Sequence, residues 1–201
     1  MPSNPLQNAT FLLAAHELRQ LPADSGAEVA FAGRSNAGKS SALNRLTHQK
    51  ALARTSRTPG RTQQMVVFTL GETARLVDLP GYGYAKVPEK LRAHWRTEID
   101  AYLHHRKSLR GVVLIADIRH PLKEFDRMML GFCAATNLAC HVLLTKADKL
   151  SRGQAAAALQ AARKESVAAG WSATFQVFST PAGTGVDEAR QVVVDWLNAP
   201  A

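Results

Sequence analysis

The chain has 201 residues, 46% of them hydrophobic, and a formal net charge of +9; that length supports one well-filled domain and is short for two. Its longest apolar runs, such as 111–116, fall far below the roughly 18 residues that a membrane-spanning helix needs, and the N-terminus has no basic-then-apolar leader, so a cytoplasmic location is expected and Asn8-Ala9-Thr10 is not read as a glycosylation acceptor. Cys133 and Cys140 are too few and wrongly spaced for a disulfide framework or a Cys-based zinc site and read as packing thiols, and the seven histidines form no His-Glu-x-x-His pattern.

In chain order, residues 1–10, with Pro2 and Pro5, are expected to be a flexible segment ahead of one domain spanning 11–198. Residues 28–32 form a short apolar run suited to the middle of a sheet. Gly33-Arg34-Ser35-Asn36-Ala37-Gly38-Lys39-Ser40 follows, a full match to Gly-x-x-x-x-Gly-Lys-Ser, and then a helix over 40–46. This is a phosphate-loop pattern. Glycines let backbone N–H groups curl around phosphate oxygens, the lysine neutralises charge, the serine hydroxyl holds Mg²⁺, and the helix N-terminus faces the anion. Residues 65–70 and 74–78, joined by a turn containing Gly71, read as a hairpin. Asp78-Leu79-Pro80-Gly81 then places a carboxylate at a strand's carboxyl end, where it can hold Mg²⁺ through water. Gly81 lets an N–H approach a γ-phosphate.

Leu91, Trp95, Ile99, Tyr102 and Leu103 recur at helical spacing after Pro88. After a strand at 111–117, Leu122, Phe125, Met129, Phe132 and Cys133 do the same behind Pro121. These stripes read as core faces. A strand at 141–145 leads into Thr145-Lys146-Ala147-Asp148. A carboxylate there can accept two hydrogen bonds from the N1–H and 2-amino group of guanine, which adenine does not present; the Lys146 stem can lie along base and ribose. An alanine-rich helix at 152–169, a strand at 174–178 and a helix at 186–197 complete the pattern. Phe178-Ser179-Thr180 would offer a backbone N–H to guanine O6. The alternation predicts an α/β fold with a six- to seven-stranded, mostly parallel mixed sheet, one antiparallel strand and helices on both faces.

These motifs, in this order, resemble the translation-factor-like small GTPases. The chain is more closely similar to the EngB (YihA/YsxC) family through Gly33 to Ser40, Thr58-Pro59-Gly60-Arg61-Thr62-Gln63, Asp78-Leu79-Pro80-Gly81-Tyr82-Gly83-Tyr84 and Thr145-Lys146-Ala147-Asp148, over about residues 11 to 197. The resemblance implies a single-domain Ras-like P-loop GTPase fold that binds GTP and GDP. It implies Mg²⁺ held by Ser40, Thr62 and Asp78, and Lys39, Thr62 and Gly81 acting in hydrolysis, with Gly60, Arg61, Gln63 and Gln64 among the nucleotide-binding residues. It further implies a monomer that acts in assembly of the large ribosomal subunit and is needed for normal cell division and septation.

Departures from the general GTPase pattern carry expectations of their own. Thr145 stands where asparagine is usual, losing an amide that would tie the base loop to the phosphate loop, so modest affinity is expected; Thr180 stands where alanine is usual. Tyr82 occupies the place of a water-positioning glutamine, which predicts slow intrinsic hydrolysis helped by a cation or a partner. Asn36 either helps bind a K⁺ ion or merely fits a tight turn.

The positive charge is uneven: residues 45–62 carry +5 and residues 86–110 carry +4. Arg54, Arg57, Lys86, Lys90, Arg92 and Arg96 are therefore expected to contact ribosomal RNA when GTP orders the switches, with Tyr82, Tyr84 and Trp95 as stacking candidates and Trp95 more suited to the core. An ATP-dependent kinase would share the phosphate loop but has no use for Asp148 and needs a lid insertion that the length does not allow. A non-catalytic module using bound nucleotide structurally stays open because of Tyr82.

Overall fold

Seven strands in the order β1-β3-β4-β2-β5-β6-β7 build one sheet in a computed structural model that describes residues 4–53, 64–82 and 89–200, without the side chains of 89–96. Along the chain the elements are β1 (Thr10–Ala15), β2 (Ala27–Gly33), α1 (Lys39–Leu46), β3 (Met65–Leu70), β4 (Ala74–Asp78), α2 (Glu89–His105), β5 (Leu109–Asp117), α3 (Glu124–Ala135), β6 (Ala139–Thr145), α4 (Arg152–Ala168), β7 (Ala173–Val177) and α5 (Val186–Asn198). β3 is antiparallel to both of its neighbours, β1 and β4, while the pairings from β4 through β7 are parallel. This is the expected mixed α/β sheet with one strand reversed.

Two-sided burial explains why the central strands read as apolar runs. β5 sends Val112 and Leu114 to one face and Val113 and Ile115 to the other, and all four are buried. The first face gathers Tyr102 of α2, Leu130 and Cys133 of α3, and Ala155 and Ala162 of α4. The second gathers Ala42, Leu43 and Leu46 of α1 with Val186, Ala189 and Val193 of α5. Cys133 and Cys140 lie in the first core as reduced, buried thiols. Among the described residues no helix is long and apolar enough to cross a membrane.

At the amino end of β2, the buried Glu28 carboxylate accepts from Arg75 Nε at 2.7 Å, from Arg106 Nε and Nη2 at 3.0 and 2.7 Å, and from the Tyr102 hydroxyl at 3.2 Å. A buried carboxylate is tolerated only when its charge and lone pairs are met in this way. The cluster pins the last turns of α2 to the sheet, leaving the carboxyl ends of the strands to the site.

The amino terminus departs from expectation. In place of a frayed segment, residues 5–8 form a 3₁₀ turn with Leu6 buried, and Asn4 Nδ2 donates to the carbonyl of Leu46 at 3.0 Å; residues 1–3 lie outside the described residues. The chain then enters β1, a seventh strand whose apolar run gives no alternation because its edge position leaves Phe11 and Leu12 exposed at 62% and 44%. The register also slips between Phe11 and Leu13, as at a β-bulge. Behind Pro121, α3 begins at Glu124 and not at Leu122, which precedes it with a left-handed φ of 53°.

Candidate nucleotide site

β2 ends at Gly33, still paired with Ile115 of β5 and so close to it that a Cβ would lie 2.7 Å from the Ile115 carbonyl oxygen, which only glycine permits. The chain turns back through Asn36 at φ 62° and Gly38 at φ 102°, both left-handed, and the second is a conformation that glycine alone adopts without strain. α1 starts immediately at Lys39, with Ser40 in its first turn, so the helix N-terminus opens onto the turn. Ser35 N–H donates to the Tyr82 carbonyl at 2.9 Å, which docks this loop on the segment after β4. The Ser35 hydroxyl is buried with no partner among the described residues.

Across the loop, Lys39 Nζ pairs with Asp78 Oδ1 at the end of β4, the two side chains 12% and 8% exposed. Gly81 follows two residues after the Leu79 N–H to Phe31 carbonyl bond that fixes Asp78-Leu79 at the sheet edge. A Cβ on Gly81 would meet Ser35 N at 3.5 Å, an ordinary contact, so packing within the protein does not require glycine there. Without a side chain, Gly81 leaves room for a ligand oxygen to approach its N–H. Ser40 and Asp78 offer a hydroxyl and a carboxylate, the hard oxygen donors that Mg²⁺ takes together with phosphate oxygens and water. These features fit a Mg²⁺-bound triphosphate. Gly60, Arg61, Thr62 and Gln63 lie outside the described residues. Gln64 is half-buried beside β1, its Nε2 2.9 Å from His16 Nε2.

Tyr82 does not face the phosphate side. Its ring stacks on Phe125 at 5.1 Å and its hydroxyl donates to Asp126 Oδ1 at 2.9 Å. Burial pushes the phenol well above its usual range, and the Asp126 carboxylate pushes it further. Burial likewise raises Asp126, against the donors Tyr82 and Lys123 N–H. Packed in this way, Tyr82 is a wedge between the segment after β4 and α3 and is corrected as a candidate for stacking on RNA. Tyr84 lies outside the described residues, as do Arg54, Arg57, Lys86 and the side chains of Lys90, Arg92, Trp95 and Arg96.

The base-side motif is tied to the phosphate loop. Thr145 Oγ1 bonds the Ala37 carbonyl at 2.5 Å and lies 3.0 Å from the Ala116 carbonyl. The tie expected to be lost with asparagine is therefore kept by a hydroxyl, which removes the reason for expecting modest affinity. Lys146, at a left-handed φ of 60°, donates through Nζ to the Asn36 carbonyl at 2.7 Å and pairs with Asp117 Oδ2 at 2.9 Å. Asp117, at the end of β5, also accepts from Arg119. Burial would raise its pKa, but the Arg119 and Lys146 hydrogen bonds outweigh that and hold it far below the usual carboxylate range. Asp117 thus orients Lys146. Nothing in its sequence neighbourhood singled it out, because an acid ending a strand has no spacing signature.

Asp148 accepts from Ser179 Oγ at 2.7 Å, and that bond holds its carboxyl below its ordinary value. Ala147 N–H donates to the Phe178 carbonyl at 3.2 Å, joining the two base-side loops. Phe178 N–H and Ser179 N–H are committed to Leu144 and Thr184 carbonyls, so of the three residues expected to offer an N–H, Thr180 is the one without such a bond among the described residues.

The family model described as 50S ribosome-binding GTPase matches residues 28–146. A relative from Stenotrophomonas maltophilia, "Probable GTP-binding protein EngB", is 60% identical over 193 residues, 96% of each chain. One of the same name from Xylella fastidiosa is 56% identical over 196 residues, 97% of each. A crystal structure of a probable GTP-binding protein engB superposes with a TM-score of 0.66 at 20% identity, covering 85% of this chain and 98% of that one, which speaks to the fold. With a phosphate loop, a strand-end aspartate and a base loop brought to one sheet edge and these relatives spanning nearly the whole chain, the protein belongs to the EngB family of P-loop GTPases and binds GTP and GDP.

Proposed function

We propose that this GTPase is a molecular switch in assembly of the large ribosomal subunit. In its GTP state it grips the subunit precursor through ribosomal RNA, and hydrolysis releases it. The observation that carries the nucleotide half of this reading is the double bridge from Thr145 to the Ala37 carbonyl and from Lys146 to the Asn36 carbonyl. It makes base recognition and phosphate binding one rigid unit. Asp148 accepts guanine N1–H and the 2-amino group, Thr180 N–H donates to O6, and Lys39 with the Gly33-to-Ser40 backbone holds the phosphates. Mg²⁺ would be held by Ser40 and Asp78, with Thr62 as the switch ligand, and supplies neutralisation of charge on the phosphate oxygens.

Turnover is slow, because the Tyr82 hydroxyl is spent on Asp126 and orients no water. Ribosomal particles or K⁺ raise it. For Asn36, its φ of 62° favours the tight-turn reading, since asparagine tolerates that conformation better than most residues. The protein works as a cytoplasmic monomer, and normal division and septation follow from ribosome supply. The RNA-binding half rests on the clustered charge and on the family description as 50S ribosome-binding.

The deciding measurement is phosphate release from GTP with and without purified large subunits, in K⁺ and in Na⁺. Stimulation by subunits is expected. Zero release under every condition would leave the non-catalytic module as the correct reading, and equal rates in K⁺ and Na⁺ would remove the cation's part.

A further inference from the structure

The edge of the sheet beside the base site carries a buried polar chain that the nucleotide-binding motifs do not include. His141 on β6 is 5% exposed, and Gln176 on the edge strand β7 is 7% exposed. Gln176 Nε2 donates to the Gly185 carbonyl at 2.7 Å. An amide nitrogen donates only, so its partner Oε1 is an acceptor, and the contact to His141 Nε2 at 2.8 Å fixes a proton on that ring nitrogen. The neutral ring then accepts at Nδ1 from the Thr174 hydroxyl at 2.6 Å. Gln176 Nε2 also donates to the Val177 carbonyl at 3.3 Å, so its amide hydrogens are both spent on backbone oxygens and the chain from Thr174 through His141 and Gln176 to Gly185 has a single direction.

Its terminus is informative. Gly185 sits at φ 73°, at the end of the loop from Phe178 that contains Ser179 and Thr180, and it caps α5. A Cβ on Gly185 would stand 2.3 Å from the Val177 carbonyl oxygen and 2.4 Å from Gln176 Nε2, so the backbone has been brought against the amide as closely as the absence of a side chain permits. The loop between is closed by Ser179 N–H to the Thr184 carbonyl at 3.0 Å and by Gly183 N–H to the Ser179 carbonyl at 2.9 Å. Its two ends are thus treated differently. The entry is held by Phe178 N–H on β6 and by Ser179 on Asp148, while the return, tied to the entry through Ser179, gains its bond to the sheet from Gln176.

We infer that Gln176, set by His141, is a positioning residue for purine selection: it fixes the return of the 178–185 loop and so aims the Thr180 N–H at the 6-oxo group of the base. This rests on the guanine reading of Asp148. It differs from the Asp148 contribution, which reads the neighbouring N1–H and 2-amino group and keeps its own support from Ser179. Loosening Gln176 therefore weakens recognition of O6 and spares recognition of N1 and the 2-amino group.

The test compares two ligands that differ at that one atom, GDP and 6-thioguanosine 5′-diphosphate, which keeps N1–H and the 2-amino group and carries sulfur, a weaker acceptor, in place of O6. Affinities are measured by titration for the intact protein and for Gln176→Leu and Gln176→Glu; the second keeps an acceptor for His141 and replaces the donor to the Gly185 and Val177 carbonyls by a charged acceptor that repels them. The intact protein is expected to favour GDP over the analogue by about fivefold, since sulfur accepts the Thr180 N–H more weakly than oxygen and at most one neutral hydrogen bond is at stake. Both variants are expected to lose most of that ratio while binding the analogue as before. Equal loss of both ligands, or an unchanged ratio in Gln176→Glu, would overturn the inference, as would an intact protein that does not distinguish the two ligands. If the leucine variant does not fold, judged by its melting curve, the glutamate variant decides. A parallel titration with ADP separates the two failures: an intact protein indifferent to GDP and ADP has lost the guanine reading itself, whereas one that selects GDP but is unmoved by Gln176 has lost only the positioning role.

Discussion

Asp148 is asked to accept two hydrogen bonds from the base as a charged group, each worth about 1.5–3 kcal/mol when one partner is ionised. Asp148→Asn is accordingly expected to weaken GDP binding by at least about a hundredfold, read by titration, with ADP binding unchanged. Tyr82→Phe separates two meanings of one residue. If the phenol is a wedge, its loss leaves the buried Asp126 short of a donor and lowers stability by about 1–2 kcal/mol in denaturant melts, while GTP turnover holds. A fall in turnover without a fall in stability would return Tyr82 to the site. Thr145 shows where residue-level reading stops. The substitution for asparagine was visible, but a hydroxyl reaching two carbonyls depends on how closely β6 and the phosphate loop approach, and spacing along the chain does not encode that distance.

For the elements, β3 and β4 lie where the alternation and the Gly71 turn put them, and the central strands differ by one or two residues at their ends. The phosphate loop and both base-side segments were legible for the same reason: each follows a buried apolar strand that marks the sheet edge. β1 was not legible, because an edge strand with Phe11 and Leu12 outward and a slipped register has neither alternation nor full burial to announce it. The buried polar pairings were hidden too, since Glu28 meets Arg75 and Arg106 across 47 and 78 positions of chain.

Two predictions belong at this scale. Glu28→Ala strips two buried guanidiniums of their partner and is expected to cost about 3–5 kcal/mol in chemical denaturation, since breaking a buried pair leaves a charge uncompensated. On β6, burial lowers the His141 pKa against the bond to Gln176 and the more distant Glu188 charge. The unfolded chain therefore takes up its proton first. Stability is intact above about pH 6.5 and declines as pH falls through the lowered folded value, and His141→Leu is expected to flatten that decline in melts run across the range.

On the scale of the whole molecule, the excess positive charge of residues 45–62 and 86–110 makes the proposed grip on ribosomal RNA an electrostatic one. Binding to large-subunit particles is expected to be tighter with a GTP analogue than with GDP and to weaken steeply as salt rises, because each phosphate contact releases condensed counterions. A pelleting assay at several salt concentrations checks this, and a flat, nucleotide-blind response would break the link between charge and switch. The docked amino terminus has a practical consequence. Asn4 reaches the Leu46 carbonyl at the far end of α1, about 10 Å along that helix from Lys39. An affinity tag or surface linker placed ahead of the docked Asn4 is therefore expected to leave the phosphate-binding turn untouched, so immobilised protein should titrate with nucleotide like the free form.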